Sequence, residues 1–297
     1  MFMKKNFIIT SLLMFIAVLS SAQQDSISAT YLAPFATFST TRLLNNHTTE
    51  TLGKREFDFR VTHRFGDIGG DNGGYHNFWG LDNSSDIRIA FEYGVSDNLM
   101  IGAGRSKGAG AVREFFDGFV KYRLIKPTEK SPFSLTVLGS SAISTMRAST
   151  ISTSESSFSK DIHRLRYVTQ VIAGYKINSR FSFQVVPSYL HRNYVAAADV
   201  NNMIALGAGA RIKLTQLVAL NLEYTYNQLM DRGTANDYYD EVGVGIEFDL
   251  GGHVFQLDIT NSRGIGEYQF ISGTTSEVNP SKGQYRMGFT ISRPFKL

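Results

Sequence analysis

The chain has 297 residues, of which 30 are Lys or Arg and 26 are Asp or Glu, so its formal net charge is +4. This small surplus is too weak for the basic field that binds nucleic acid, and we expect no nucleic-acid partner. Cysteine is absent, which excludes disulfides, thiolate metal sites and cysteine nucleophiles.

The first 22 residues have the three parts of a secretory signal peptide. Lys4 and Lys5 precede an apolar run over residues 7–19, and Ser20 and Ala22 place small side chains before a cleavage site. The apolar run is shorter than the ~20 residues that a membrane-spanning helix needs. We therefore predict that residues 1–22 are a cleaved signal peptide and that the mature chain is exported.

Residues 23–55 are rich in Ser and Thr and show little periodicity. We predict a periplasmic N-terminal lead-in or plug segment here, ahead of a β-barrel domain over residues 56–297. After residue 22 no apolar stretch is long enough for a helical span, and a bilayer admits only helices and closed barrels. A membrane location would therefore require a barrel.

The domain over residues 56–297 contains about twelve segments in which apolar and polar residues alternate, the pattern of strands with two different faces. In the first segment, Phe57, Phe59 and Val61 alternate with charged residues. The predicted strands are residues 56–65, 86–93, 99–105, 116–124, 133–141, 165–175, 181–192, 202–214, 217–228, 240–249, 254–260 and 283–295.

Short turns near residues 97, 129, 178, 216 and 251 alternate with longer polar loops at 66–85, 106–115, 142–163, 193–201, 229–239 and 261–282. Bacterial barrels have short periplasmic turns and long external loops, so both termini are predicted on the periplasmic side. Aromatic residues cluster near the predicted strand ends, as an interfacial girdle requires. A soluble β-sandwich or jelly roll would also alternate. We predict an all-β fold, a transmembrane antiparallel up-and-down β-barrel of about 12 strands in the outer membrane.

Such a barrel places its polar strand residues in the lumen, because charge on the lipid face is costly. Basic residues dominate the strands up to residue 213 and acidic ones those from 223 to 258. Twelve strands give an intermediate width, so two interiors remain open: a filled, salt-bridged one and a narrow pore with a slight preference for anions. The candidate lumen-lining residues for binding or selectivity are Arg60, Arg64, Arg88, Lys121, Arg123, Arg166, Arg211, Glu223, Glu241, Glu247 and Arg286.

Motifs for catalysis or metal binding are weak. None of His63, His163 and His191 lies in a Gly-x-Ser-x-Gly setting, so a lipid-active hydrolase is the least favoured function. Loop 66–86 is rich in Gly, Asp and Asn, whose oxygens bind Ca²⁺, but its spacing matches neither an EF-hand nor a nonapeptide repeat. We predict no enzyme activity, no cofactor and no metal site, and a solvated external loop.

Four stretches carry a resemblance to a known family. Residues 38–47, 54–67, 78–82 and 86–94 read FSTTRLLNNH, KREFDFRVTHRFGD, FWGLD and DIRIAFEYG. They resemble an uncharacterised outer-membrane β-barrel family, a domain of unknown function, common in the Bacteroidota. The resemblance implies the barrel fold and the outer membrane, and it implies no activity. In such proteins the motif of Arg42, Asn45, Asn46 and Glu56, which precedes and enters the first strand, is a candidate for a buried polar plug.

The expected function is a non-enzymatic passage or binding site for a small polar or anionic solute. The alternative is a structural or accessory barrel that scaffolds a periplasmic or surface partner. The expected partners are outer-membrane lipid, the barrel assembly machinery during biogenesis, and a small solute.

Overall fold

The structure, a computed structural model, describes residues 35–70, 72–108, 110–196, 199–232, 238–273 and 279–297, without the side chains of residues 84 and 85. The predicted signal peptide, residues 1–22, lies outside the described residues.

Twelve strands of the described chain close into one antiparallel barrel. They are β1 Glu56–Asp67, β2 Ser84–Gly94, β3 Leu99–Lys107, β4 Glu114–Ile125, β5 Phe133–Ser144, β6 Leu165–Lys176, β7 Phe181–Arg192, β8 Asn202–Lys213, β9 Val218–Tyr226, β10 Glu241–Asp249, β11 Val254–Thr260 and β12 Arg286–Lys296. Each strand is hydrogen-bonded to its neighbours in the chain, and β1 closes the ring against β12, with Phe57 opposite Phe295. This confirms the predicted up-and-down barrel and its strand number.

The two faces of the strands are inverted relative to those of a soluble protein. In β1 the polar residues Asp58 and Arg60 are buried, whereas Phe59 is exposed on the outer surface. On other strands, outward apolar residues such as Val120 and Leu257 are more than half exposed. A β-sandwich would bury its apolar face, so the soluble alternative is excluded. Lipid favours this arrangement because it solvates apolar side chains, and the closed ring leaves no strand edge unpaired.

The short turns lie at the barrel end that carries both ends of the strand run. They join β2 to β3, β4 to β5, β6 to β7, β8 to β9 and β10 to β11, and Leu297 N donates to Arg55 O at the same end. The longer connections lie at the opposite end. The first end is called the periplasmic end and the second the outer end below, because bacterial barrels are expected to have short periplasmic turns and long external loops.

Residues 36–52, here called the hairpin, enter the lumen from the periplasmic end and return to it. Lys176 Nζ donates to Ala36 O (2.8 Å) and Thr51 Oγ1 donates to Asp97 O (2.9 Å), both beside periplasmic turns. An antiparallel bridge joins the two arms between these points. Nearly all side chains of the hairpin are buried.

Residues 261–272, here called the inward loop, fold into the lumen from the outer end. The loop contains a helical turn, Glu267–Phe270. Tyr268, Phe270 and Ile271 are buried in an apolar cluster with residues from strands β4 to β8. The lumen is thus filled from both ends. None of the described helices is long and apolar enough to span a bilayer.

Candidate functional site

The predicted lumen residues all lie on the inner side of the barrel wall. Ten of the eleven are buried, and Arg211 is partly buried. They do not form one site, because some contact the hairpin and others the inward loop. Binding or selectivity at these residues stays a prediction. Those beside the hairpin are Arg60, Lys121, Arg123, Glu223, Glu241 and Glu247, with Arg211 paired to Glu247; those beside the inward loop are Arg88, Arg166 and Arg286. Arg64 contacts both, because it donates to Asn45 Oδ1 of the hairpin and to the backbone carbonyls of Ser262 and Gly264 in the inward loop.

Glu223 of β9 holds the tip of the hairpin through three backbone N–H groups. The nitrogens of Leu44, Asn45 and Asn46 lie 3.0–3.2 Å from its carboxylate oxygens. The tip is a tight turn, in which Leu43 N donates to Asn46 O at 2.9 Å. This buried carboxylate therefore finds its donors in the hairpin and not in a basic strand.

Side chains extend the same contact to neighbouring strands. Asn45 Nδ2 donates to Glu241 Oε1 of β10 (2.7 Å), and Arg64 of β1 donates to Asn45 Oδ1. Ser39 donates to Glu247, also on β10. The acidic strands between residues 223 and 258 therefore bind one side of the hairpin.

The basic strands bind its other side. Arg123 Nη1 of β4 lies 2.9 Å from Glu50 Oε2, and Glu50 Oε1 accepts the backbone N–H of Thr37 at 2.8 Å. Lys121 Nζ donates to Thr41 O at 3.1 Å. The hairpin thus lies between the basic and the acidic strands and bonds to both.

At the centre of the lumen the hairpin meets the inward loop in a group here called the central cluster: Arg42, His47 and Glu267. Arg42 Nη1 lies 2.6 Å and His47 Nε2 3.0 Å from the same oxygen, Glu267 Oε1. The ring of Phe119 packs against both, with its centroid 4.8 Å from that of His47 and 5.9 Å from Arg42 Cζ. The three side chains of the cluster are at most 5% exposed.

Burial sets the charge state of the central cluster. It lowers the pKa of His47 to about 3, with help from the positive charge of Arg42, so the imidazole is neutral at neutral pH. Burial alone would raise the pKa of Glu267, but Arg42 beside it holds that pKa below its ordinary value. The Glu267 carboxylate is therefore ionised, and Arg42 is its principal counter-charge.

Two glycines of the wall provide space for the leucines of the tip. A Cβ on Gly209 would lie 2.6 Å from Leu43 Cδ2, and a Cβ on Gly245 would lie 2.6 Å from Leu44 Cδ2. Any larger residue at these positions would collide with the hairpin, because contacts this short do not occur between real carbon atoms.

The remaining basic candidates hold the inward loop. Arg88 makes a bidentate pair with Asp117 (3.1 and 2.6 Å), and Asp117 Oδ1 also accepts the hydroxyl of Tyr268 at 2.9 Å. Arg166 Nη1 donates to Tyr268 O at 3.0 Å. Arg286 Nη1 donates to a backbone carbonyl of the loop at 3.1 Å.

Sequence reasoning singled out Arg42, Asn45 and Asn46 but missed Glu50 and Glu267. Glu50 lies in a segment without periodicity, where no pattern shows which residues face a wall. Glu267 lies in the connection over residues 261–282, which its length and polarity predict to be an external loop. The sequence holds no signal that this loop folds inward.

The three histidines considered for hydrolysis lie in different surroundings. His63 stacks on Phe289 on the lipid side of the wall, with ring centroids 5.5 Å apart. His163 stacks on Tyr194 in the outer loops (4.7 Å). His191 lies between two asparagine side chains, 2.7 and 2.8 Å away.

The glycine-rich loop considered for calcium contains a short 3-10 helix, Tyr75–Gly80, and its Trp79 is 50% exposed. Asp71, one of the oxygen donors considered there, lies outside the described residues. Within the described ranges, no group of three His, Asp or Glu side chains is placed to hold a metal ion.

Solved structures to which the chain is similar include porins and an outer membrane channel. The NanC porin is 10% identical with a TM-score of 0.47, over 81% of this chain and 100% of its own. The KdgM porin, solved in complex with disordered oligogalacturonate, is 9% identical with a TM-score of 0.47, over 82% and 99%. The COG4313 outer membrane channel from Pseudomonas putida F1 is 13% identical with a TM-score of 0.44, over 83% and 98%. No curated protein sequence matches this chain.

The family model described as "Membrane bound beta barrel domain (DUF5777)" matches residues 38–295, from the hairpin to the last strand. The match confirms the predicted resemblance to an uncharacterised membrane-barrel family, and it confirms a membrane-bound location, as expected for an outer-membrane barrel. The chain therefore belongs to this family of membrane-bound β-barrels.

Proposed function

We propose that the protein is a gated, non-enzymatic passage for small polar or anionic solutes, closed by its hairpin. The observation that carries the proposal is the mostly polar surface of the hairpin. It buries eleven polar side chains and four apolar ones, and it bonds to the wall through Glu223 and Glu50. Water can solvate both surfaces when they separate, whereas burial of a large apolar surface would resist separation.

The attachment of the hairpin supports an exit through the periplasmic end. Both arms begin there, and the ring of strands closes through strand–strand pairs without the hairpin backbone. In this proposal residues 23–55 are the plug segment, residues 56–297 are the barrel domain, and residues 1–22 are the signal peptide.

Withdrawal of the hairpin would expose a charged, water-compatible lumen. Arg123 and Lys121 on one side would lose Glu50 and Thr41, and Glu223 on the other would lose the backbone of the tip. The basic pair Lys121 and Arg123, freed on one side of the lumen, would supply local positive charge for a small anion.

A structural or accessory barrel is the second candidate. It is favoured by the filling of the lumen from both ends, since an apolar cluster supports the inward loop at the outer end. The two candidates differ in whether the hairpin moves.

A reversible tether tests this difference. The side-chain oxygens of Thr49, in the hairpin, and Ser134, in β5, are 2.9 Å apart. The chain has no cysteine of its own, so a Thr49→Cys, Ser134→Cys pair would form the sole disulfide. In proteoliposomes we expect uptake of small anions in the reduced state, loss of uptake to background after oxidation, and recovery on reduction.

The matched control is a tether within the wall. Thr62 of β1 and Thr290 of β12 have side-chain oxygens 3.0 Å apart, so their Cys pair links strand to strand and leaves the hairpin free. Oxidation of this pair should leave uptake unchanged. Absence of uptake by the wild-type chain and by the reduced tether variant would refute the passage and favour the scaffold.

A further inference from the structure

We infer that Arg42 and His47 of the central cluster form a binding site for the carboxylate of a small solute. In the closed state the third member of the cluster, Glu267, occupies this site as an internal ligand. This inference rests on the proposed passage and deepens it, because it names the chemical class of the solute and the contact that the solute replaces.

The site is built around a carboxylate. One oxygen of Glu267 lies 2.6 Å from Arg42 Nη1 and 3.0 Å from His47 Nε2. Arg88 of the wall adds a second positive charge nearby. The guanidinium group of Arg42 is planar and has several N–H donors, which suits it to a carboxylate with two oxygens.

Arg42 has donor capacity that Glu267 does not use. Its Nη2 atom is buried and has no hydrogen-bond partner among the residues that the structure describes. A buried N–H without a partner is costly, so this atom favours a ligand that presents a second acceptor. A free carboxylate can adopt the bidentate geometry, whereas Glu267 is constrained by its own helical turn.

The hairpin holds the site in place without Glu267. Arg42 Nη1 also donates to Asn45 O (3.1 Å), and Arg42 and His47 face each other across the bridge between the two arms. Phe119 supports both side chains from the wall. The cationic side of the site is therefore part of the hairpin, and the carboxylate of Glu267 is part of the inward loop.

This division gives the site its role in the passage. The Glu267 pair joins the inward loop, which reaches the outer end, to the hairpin, which leads to the periplasmic end. A solute carboxylate that takes its place on Arg42 separates the two segments. Arrival of the solute from outside would therefore weaken the closure that the hairpin provides.

Chemical rescue tests the site without measuring transport. Glu267→Ala removes the internal ligand and leaves the buried Arg42 with only the more distant carboxylate of Glu92, 3.7 Å from its Nε atom. The loss of the close pair should lower the temperature at which the purified barrel unfolds in a gel-mobility assay. Acetate should raise this temperature in Glu267→Ala by roughly 3 °C or more. Acetamide, which has the same shape and no charge, should not.

Glu114→Ala is the matched control for the loss of a carboxylate. Glu114 pairs with Arg105 and Lys107, whose side chains are 43% and 59% exposed, so its removal leaves no buried cation. Acetate should not stabilise this variant, nor the wild-type chain. The proposed carboxylate site would be refuted if acetate and acetamide raised the unfolding temperature of Glu267→Ala equally. It would also be refuted if acetate had the same effect on Glu267→Ala and Glu114→Ala.

If Glu267→Ala does not fold, Glu267→Gln takes its place in the acetate test, because it keeps the shape of the side chain and removes only the charge. Acetate must then displace a neutral amide, and a rise with acetate alone is still expected. Absence of that rise would overturn the site. If acetate rescued Glu267→Ala but the protein transported nothing, the carboxylate site would stand and the passage would be refuted. If the protein transported anions but acetate gave no rescue, the passage would stand and the carboxylate site would be refuted.

Discussion

Glu50 is the residue on which the two arms of the hairpin and the wall converge. Its carboxylate accepts the backbone N–H groups of Thr37 and Phe38 and pairs with Arg123, with all of these groups buried. Its sequence position, in a segment without periodicity, indicated none of this. The partners of such a charged residue can be identified only in the folded structure, where the hairpin lies against the wall.

Replacement of Glu50 by Ala should loosen the hairpin strongly. It leaves Arg123 as an unpaired buried charge, which costs about 3–5 kcal/mol, whereas loss of an exposed pair costs about 0–1 kcal/mol. We expect the free energy of unfolding in urea to fall by several kcal/mol in Glu50→Ala and by little in Glu114→Ala. Similar losses in the two variants would contradict the role of Glu50.

His47 should make the closed state sensitive to acid. Its pKa is about 3 when buried and near 6.5 in water, so the unfolded chain binds a proton that the folded chain excludes over this window. Its contribution to stability is therefore fully present above pH 6.5 and is lost as the pH falls, by about 2 kcal/mol at pH 5. Glu267, whose pKa is lowered, acts in the same direction below its ordinary pKa of 4.5.

Comparison with His47→Gln measures this effect. Between pH 7 and pH 5 the stability of the wild-type chain should fall relative to that of the variant, by the contribution of one histidine. Parallel stability curves for the two proteins would show that His47 does not titrate as described. The remaining titratable groups are common to both and cancel in the difference.

At the scale of elements, the alternation of apolar and polar residues predicts the strands, whereas only tertiary contacts define the hairpin. The predicted strand at residues 217–228 and the observed β9 Val218–Tyr226 differ by no more than two residues at either end. Strand pattern is local, since each side chain faces lipid or lumen according to parity alone. The hairpin has no such pattern, because its residues face different strands in turn.

Gly209 should be necessary for the hairpin to seat fully. In Gly209→Ala the new Cβ would collide with Leu43, which is fully buried, at a cost of about 1–3 kcal/mol. We expect amide hydrogen exchange at the tip, residues 43–46, to accelerate by roughly tenfold.

The control for this substitution is Gly139→Ala in β5. A Cβ there meets no atom within 4 Å, so exchange at the tip should not change. Unchanged exchange in Gly209→Ala as well would show that Leu43 moves aside without displacing the tip.

At the scale of the whole molecule, the barrel should close without its plug. Deletion of residues 36–52 removes no strand–strand pair from the ring. The charged wall residues that lose the hairpin would be solvated by water that enters the lumen. We expect the deletion variant to keep the gel mobility of a folded barrel and to conduct ions continuously in planar bilayers. If the deletion variant did not fold, the hairpin would be a structural part of the barrel, which would favour the scaffold over the passage.

The sequence by itself determined the barrel, its twelve strands and its membrane location, because alternation and turn length act over a few neighbouring residues. Only the tertiary structure decided what fills the lumen. Arg42 and Glu267 are 225 residues apart, and Asn45 and Glu223 are 178 apart, so their contacts leave no mark in any local pattern. The fold brings them together because each buried charge requires a partner, and the hairpin and the inward loop supply those partners inside a ring of polar side chains.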